Sequence, residues 1–316
     1  MIQRHTYGYF YGILSAALYA SVSIVAKHLI TGGAHPFVIL FYQYVFTVAI
    51  LGIWHLIRNP RALRCDMKKI GYFAILGVAG GGATNLLFYS SLGYLDAGIG
   101  SMLLFLHPVF ITVFFAVSKI KAMKPINFFC TLMAAFGAAI VLNVFSGSLS
   151  FPVAGVALGL LGAITYAFYN IFADLKLKEE DPNVINFYAG AAAMLFSAVV
   201  AAGSGVGFQI NPASLPSLIF LSVFSGVIPS YCFLTALKYI GSEKVSVIAS
   251  LELPLTLIMA FTILKEHMEP VQLLGVALIV FATILLHRTE SAKTPEDAKD
   301  ENHESPSDPK AAGKPE

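Results

Sequence analysis

The sequence predicts an all-α polytopic membrane protein with ten transmembrane helices in a 5+5 inverted repeat, its N- and C-termini both cytoplasmic. Three observations predict it. Of the 316 residues, 57% are hydrophobic and 12% charged, whereas a soluble domain has about 45–50% apolar and about 25% charged residues. Ten apolar stretches divide the chain, each close to the about 20 residues that a membrane helix needs. The two halves of the chain also repeat one another at a shift of 145–147 residues.

The apolar stretches run over roughly 8–29, 36–57, 70–92, 97–118, 126–145, 154–174, 183–203, 215–237, 244–264 and 271–287. The first follows Arg4 and has the outline of a signal peptide. It is long enough to span, however, and it has a partner later in the chain, so it belongs to the fold. Connections are short and leave no room for an extramembrane domain. From Arg288 onward the composition turns to Lys, Glu, Asp, Ser and Pro. Residues 288–316 are therefore expected to be a disordered cytoplasmic tail. The three cysteines, Cys65, Cys130 and Cys232, are odd in number and widely spaced. That spacing points to neither a disulfide framework nor a metal cluster, and no metal or cofactor is expected.

Cytoplasmic loops carry an excess of Lys and Arg. With the N-terminus inside, the inner side holds Arg4, Arg58, Arg61, Arg64, Lys68, Lys69, Lys119, Lys121, Lys124, Lys176, Lys178, Lys238 and Lys244. The outer side holds only Lys27 and Lys265. Thirteen against two sets the expected orientation.

The repeat is visible in four places. YGILSAALYASVSIVA of the first span aligns with LGLLGAITYAFYNIFA of the sixth, so that Gly12, Tyr19 and Ala26 match Gly159, Tyr166 and Ala173. PFVILFY opens the second span and PNVINFY the seventh; Pro108 matches Pro254, and Pro125 matches Pro270. The expected units are a first five-helix repeat over 1–147 and a second, inverted one over 148–287. Five spans is an odd number, so the second half enters from the opposite face. Inverted halves that rock against one another open a central site to each side in turn, which is transport chemistry.

The stretch SLELPLTLIMAFTILKEHMEPVQLLGVALIVFATILL, with a weaker first-half copy LHPVFITVFFAVSKIKAMKP, resembles the drug/metabolite transporter superfamily, specifically its ten-span EamA-type transporters. The shared pattern is Glu and Pro, an apolar span, a Leu-x-Glu ending, then Gly in the last helix. Two departures stand out: the first-half copy lacks the final Glu, and Leu253 separates Glu252 from Pro254. The resemblance covers residues ~8–287. It implies a secondary transporter, an exporter of a small amphipathic metabolite such as an amino acid. The alternative is an importer or exchanger of a nucleoside- or cofactor-type solute. Against a phosphorylated solute, the only cationic candidate at depth is His107.

Polar groups at membrane depth are costly and so become site candidates. Spans one and six carry matched stripes four residues apart, Ser15, Tyr19, Ser23 and Lys27 in one, Gly162, Tyr166, Asn170 and Asp174 in the other. Residues four apart share a helix face. The stripe either lines a substrate path or packs helices together, with Lys27 and Asp174 snorkelling to the interfaces. In spans four and nine, His107 and Glu252 stand just before Pro108 and Pro254. Helices broken at matched places in both halves point to a transport site, where a His and a Glu can bind substrate or carry a coupling proton. Asn85 and Tyr89 in span three, and Tyr231 beside Pro229 in span eight, complete the candidate set, with the three prolines as helix-breaking or gating positions.

No Gly-x4-Gly-Lys-Ser/Thr loop is present, so ATP is not expected to drive the carrier; proton coupling or exchange remains. Asp-rich metal motifs, His-Glu-x-x-His and Ser/His pairs at motif spacing are also missing, so an enzyme is not expected. Expected partners are a small-molecule substrate and the lipid bilayer, with no nucleic acid. Monomer and homodimer both stay open. The expected location is the plasma membrane, the inner membrane in a prokaryote.

Overall fold

In lipid every backbone N–H and C=O has to be satisfied inside the protein, which favours helices for long apolar runs. The computed structural model agrees. It describes residues 2–58, 65–119, 125–141, 151–177, 180–229, 231–232, 235–236, 239, 248, 251–266 and 269–291, and among them all regular structure is helical. The expected tail beyond Ser291, the link at 142–150, Ser230 and the loop cations Arg61, Arg64, Lys121, Lys124, Lys178, Lys238 and Lys244 lie outside the described residues.

The helices are α1 (Ile2–Thr31), α2 (Pro36–Arg58), α3 (Met67–Leu92), α4 (Ala97–Leu104), α5 (His107–Ser118), α6 (Pro125–Val141), α7 (Val153–Lys176), α8 (Pro182–Gly203), α9 (Leu215–Ser222), α10 (Glu252–Leu264) and α11 (Pro270–Ser291). Among the described residues, six segments are long and apolar enough to cross a membrane: α1, α2, α3, α4 with α5, α7 and α8. Four shorter apolar helices, within α6, α9, α10 and α11, stand where the remaining spans were expected. The tail boundary needs correction, because α11 continues through Arg288–Ser291. Hydropathy locates where side chains turn polar, while the backbone stays helical until something stops it.

The interior is largely apolar but holds buried polar groups, and large apolar side chains also cover much of the exterior. Ser15, Ser23, Gln43, Thr84, Ser222 and Thr256 are buried, while Phe10, Trp54, Val117, Phe128, Val199 and Phe281 are exposed. A continuous apolar exterior of this kind demands a lipid partner.

Local features recur at the spacing of the sequence repeat. His35 and Asp181 each accept the N–H two residues on, from Phe37 and Asn183, at the starts of α2 and α8. Wide π turns interrupt α3 at Leu76–Gly82 and follow α9 at Val223–Val227. Helices α5 and α10 both end on a left-handed lysine, Lys119 (φ 54°) and Lys265 (φ 58°). Packing recurs too. Helix α2 lies along α8 and α6 along α11, while α7 packs on α3, α4 and α5 as α1 packs on α9 and α10.

The α6–α11 crossing is closest at two glycines. A Cβ on Gly137 would sit 2.7 Å from the Gly275 carbonyl oxygen, and one on Gly275 would sit 2.6 Å from that of Gly137. Small residues let membrane helices meet backbone to backbone. Gly137→Leu is therefore expected to destabilise the protein by about 1–3 kcal/mol or more, because backbone cannot yield as a side chain does. A lowered melting temperature in detergent checks this, and an unchanged one excludes the close crossing.

Candidate functional site

The fourth span breaks at Phe105–Leu106, between α4 and α5. Leu106 and Val109 donate to carbonyls three residues back, at Leu103 and Leu106. Pro108 lacks the N–H that would reach the Leu104 carbonyl. The His107 ring occupies that place, with Nδ1 3.2 Å from the Leu104 oxygen. A carbonyl only accepts, so Nδ1 is the donor and Nε2 of the neutral ring is an acceptor.

Glu252 stands one residue before the position that corresponds to His107, which is Leu253. Glu252 is the first residue of α10, and Leu251 before it donates to Ile248, again three back. Both prolines fall within the first three residues of their helices, where backbone N–H groups have no intrahelical acceptor in any case. Pro108 and Pro254 therefore start the second segment of each span, and no helical hydrogen bond is lost at either. Glu252 also gains from its place in a first turn, where backbone dipoles favour negative charge.

The break at His107 faces α7, while α10 packs on α1 and α4. The Tyr166 ring lies 4.4 Å from that of His107, centroid to centroid, and 6.2 Å from that of Tyr169. Tyr166 is also within electrostatic reach of Glu252 and Tyr19. Thr256, one turn beyond Glu252, donates to the Ala20 carbonyl at 3.4 Å, which holds α10 against α1 beside Tyr19. Glu252, His107, Tyr166 and Tyr19 are each partly exposed. Among the described residues no salt bridge neutralises Glu252.

A second polar layer continues from this group. Asn85 donates to the Tyr44 hydroxyl at 2.9 Å, and Tyr89 donates to Oε1 of Gln43 at 2.7 Å. The π turn of α3 makes room for the Tyr169 ring, since a Cβ on Gly80 would stand 2.9 Å from its Cδ2. Tyr89 is fully buried, so it positions neighbours and has no surface to offer a solute. Tyr89→Phe removes the hydrogen bond to Gln43, at about 0.5–1.5 kcal/mol. The pair Tyr89→Phe with Gln43→Leu should recover most of that loss, and melting temperatures of the three proteins in one detergent decide it.

Other candidates are placed differently. Ser23 is buried and turned to the Ala20 carbonyl of its own helix, and Asn170 donates to the Tyr166 carbonyl of its own. Tyr231 is 58% exposed and takes no part in the group among the described residues. The Pro229 carbonyl accepts from Ser15 at 2.9 Å, joining α1 to the eighth span. Lys27 does not snorkel: its Nζ donates to the carbonyls of Leu92 (2.7 Å) and Leu95 (2.6 Å), closing the end of α3. Nearby, Glu266 accepts from the N–H groups of Ala97 (2.7 Å) and Gly98 (3.0 Å) at the start of α4.

Gln43, Tyr44 and Tyr169 were missed as site residues. Gln43 carried a readable signal, an amide in the middle of an apolar span. Tyr44 and Tyr169 carried none, because their role depends on what packs against them. Among the described residues no His, Cys, Asp and Glu cluster could hold a metal.

The EamA-like transporter family matches this chain twice, over residues 6–143 and 153–288. The chain belongs to the EamA-like transporter family. An uncharacterized transporter of Bacillus subtilis, YcbK, is 26% identical over 292 residues, covering 89% of this chain and 92% of its own. The threonine/homoserine exporter RhtA of Escherichia coli K12 is 24% identical over 226 residues, 72% of this chain and 74% of its own. One solved crystal structure shares the fold with a TM-score of 0.64 at 17% identity, covering 90% of this chain and 99% of that one. As an EamA family protein with these apolar helices, the chain is a multi-pass transporter of the plasma membrane, the inner membrane in a bacterium.

Proposed function

We propose that this EamA family protein is a ten-span secondary transporter that exports a small amphipathic metabolite such as an amino acid, driven by a proton or by exchange. Its halves, 1–147 and 148–287, are inverted relative to each other, both termini are cytoplasmic, and alternating access arises as one half rocks on the other. The observation that carries this reading is the pair of helix starts at α5 and α10, each beside an ionisable residue and a proline at the repeat spacing, which is where inverted-repeat carriers bind their solutes. The paired packing of α2 with α8 and α6 with α11 supports the exchange of halves. RhtA, named as a threonine/homoserine exporter, supports amino-acid cargo.

Counterflow tests it. Proteoliposomes loaded with unlabelled threonine or homoserine should accumulate the labelled compound well above protein-free vesicles. Accumulation of nucleosides, with none of amino acids, would replace this cargo class by the alternative. Cysteines introduced at the start of α2 and α8 should react with an impermeant thiol reagent from opposite faces. Reaction from one face only rules out the inversion.

A further inference from the structure

We propose that Trp54 and Arg58, in the last turn of α2, form a docking site for the phosphate of an anionic phospholipid, so that the lipid around this protein is selected at one defined place. The proposal goes beyond the transport reading and holds for any cargo. Its basis is a pair of side chains on the exposed surface of the helix. Trp54, the only tryptophan of the chain, is 50% exposed, and its neighbours Ile53 and Ile57 are more exposed still. Arg58 closes α2 and is exposed as well. Residues four apart share a helix face, so Arg58 stands over Trp54 while Ile53 and Ile57 form the adjoining stripe.

The guanidinium carbon of Arg58 lies 5.3 Å from the centroid of the Trp54 ring, within cation–π range. Stacking uses the flat face of a guanidinium and leaves its edge, a fork of N–H donors, free for a phosphate. Among the described residues no carboxylate pairs with Arg58. Indole rings belong at the boundary between hydrocarbon and headgroups. An acyl chain can therefore run along Ile53 and Ile57 while its headgroup meets the fork. Lys68 and Lys69, in the first turn of α3, return to the same face of the membrane; Lys69 is held by Glu180 at 2.6 Å, which leaves Lys68 as a second cation. Phosphatidylcholine brings a cationic choline beside its phosphate, whereas phosphatidylglycerol has a net negative charge, so cations on this face favour phosphatidylglycerol.

The lone tryptophan makes the test direct, because bromine on an acyl chain quenches an indole only on contact. Purified full-length protein is reconstituted in phosphatidylcholine bilayers with a rising share of brominated phosphatidylglycerol or, in parallel, of brominated phosphatidylcholine. In the wild type, brominated phosphatidylglycerol should quench at an about fivefold lower share, the factor given by about 1 kcal/mol for one cation on an anionic lipid. Arg58→Gln should be quenched equally by both lipids, since its indole is still exposed. Lys68→Gln should keep the preference. High salt should erase the preference in the wild type, because an exposed charge pair is screened.

Equal quenching by the two lipids in the wild type overturns the proposal and leaves an interfacial anchor without lipid selectivity. So does a preference that survives in folded Arg58→Gln or in high salt. A preference lost as fully in Lys68→Gln means diffuse surface charge and also overturns the site. Soluble glycerol phosphate at the same total concentration should change nothing; if it abolishes the preference, the site takes free phosphate and the lipid is overturned. Should Arg58→Gln fail to fold by size-exclusion chromatography, Arg58→Met serves instead, with the same equal quenching expected. None of these readouts depends on flux, so the transport reading stands or falls separately.

Discussion

Glu252→Gln is expected to lower flux in reconstituted vesicles by about 10- to 100-fold, the factor given by losing a charge-assisted contact of about 1.5–3 kcal/mol. Glutamine keeps the length, shape and one acceptor of the side chain, so the effect isolates charge and the exchangeable proton. The variant should fold, because no salt bridge to Glu252 exists among the described residues for the substitution to break. Two readouts are needed. Flux driven by a solute gradient reports the substrate contact, and the response to an imposed pH gradient reports coupling. With Glu252 as the coupling group, the variant loses the pH response as well as the rate. Loss of rate with an intact pH response assigns the proton to another group, His107 being the next candidate in contact with Tyr166. Wild-type behaviour in both removes Glu252 from the mechanism.

What could be read in advance, and what could not, follows from the range over which each interaction acts. Helix positions came from local apolar runs and hold at α2, α7 and α8 to within two residues, while α1 begins six residues before its apolar run. His107 and Glu252 were legible because a proline next to an ionisable residue in an apolar run is a local anomaly. Pro108 and Pro254 stand in the first turn of a new helix, where their missing N–H is harmless, and the turn lies two to three residues before Pro108 and three before Pro254. Partners across the bundle were not legible. Tyr89 looks like a pathway residue in the sequence, yet it is fully buried on Gln43. Lys27 sits where snorkelling is the ordinary outcome, yet it reaches two carbonyls that only the turn at 92–95 brings near. A stripe at four-residue spacing gives a shared face and says nothing of what that face meets. That is why Tyr19 and Tyr166 join the group while Ser23 and Asn170, one turn on, bond within their own helices.

The second large effect belongs to Glu266. Both of its carboxylate oxygens accept N–H groups at the start of α4, from Ala97 and Gly98, tying the end of α10 to the turn before the fourth span. Glu266→Ala leaves two backbone donors without their partner and removes a negative charge from a helix N-terminus. Each accepted bond to a charged group is worth about 1.5–3 kcal/mol, discounted because the carboxylate is only partly buried, so a loss of about 2–4 kcal/mol is expected. Glu266→Gln keeps one acceptor and should fall between alanine and wild type. Lys27→Met removes the two contacts to Leu92 and Leu95, within a few residues of the same turn. Groups that share a structural element couple, so the double variant should lose less than the sum of the single losses, by about 0.5–3 kcal/mol. Melting temperatures of the four variants in one detergent measure this, and strict additivity shows that the two ties act separately. The pair has no copy in the other half: at the repeat spacing, Lys27 corresponds to Asp174 and Glu266 to Ile120. On the alternating-access reading proposed above, exchanging the conformations of the halves cannot rebuild these bonds at the opposite end, and the described conformation holds a stabilisation that its mirror lacks. Removing Glu266 should consequently narrow the gap between the two access states as well as lowering the melting temperature. The reactivity of a cysteine placed at Ser101, next to the tied turn and buried in this conformation, should rise in Glu266→Ala relative to wild type.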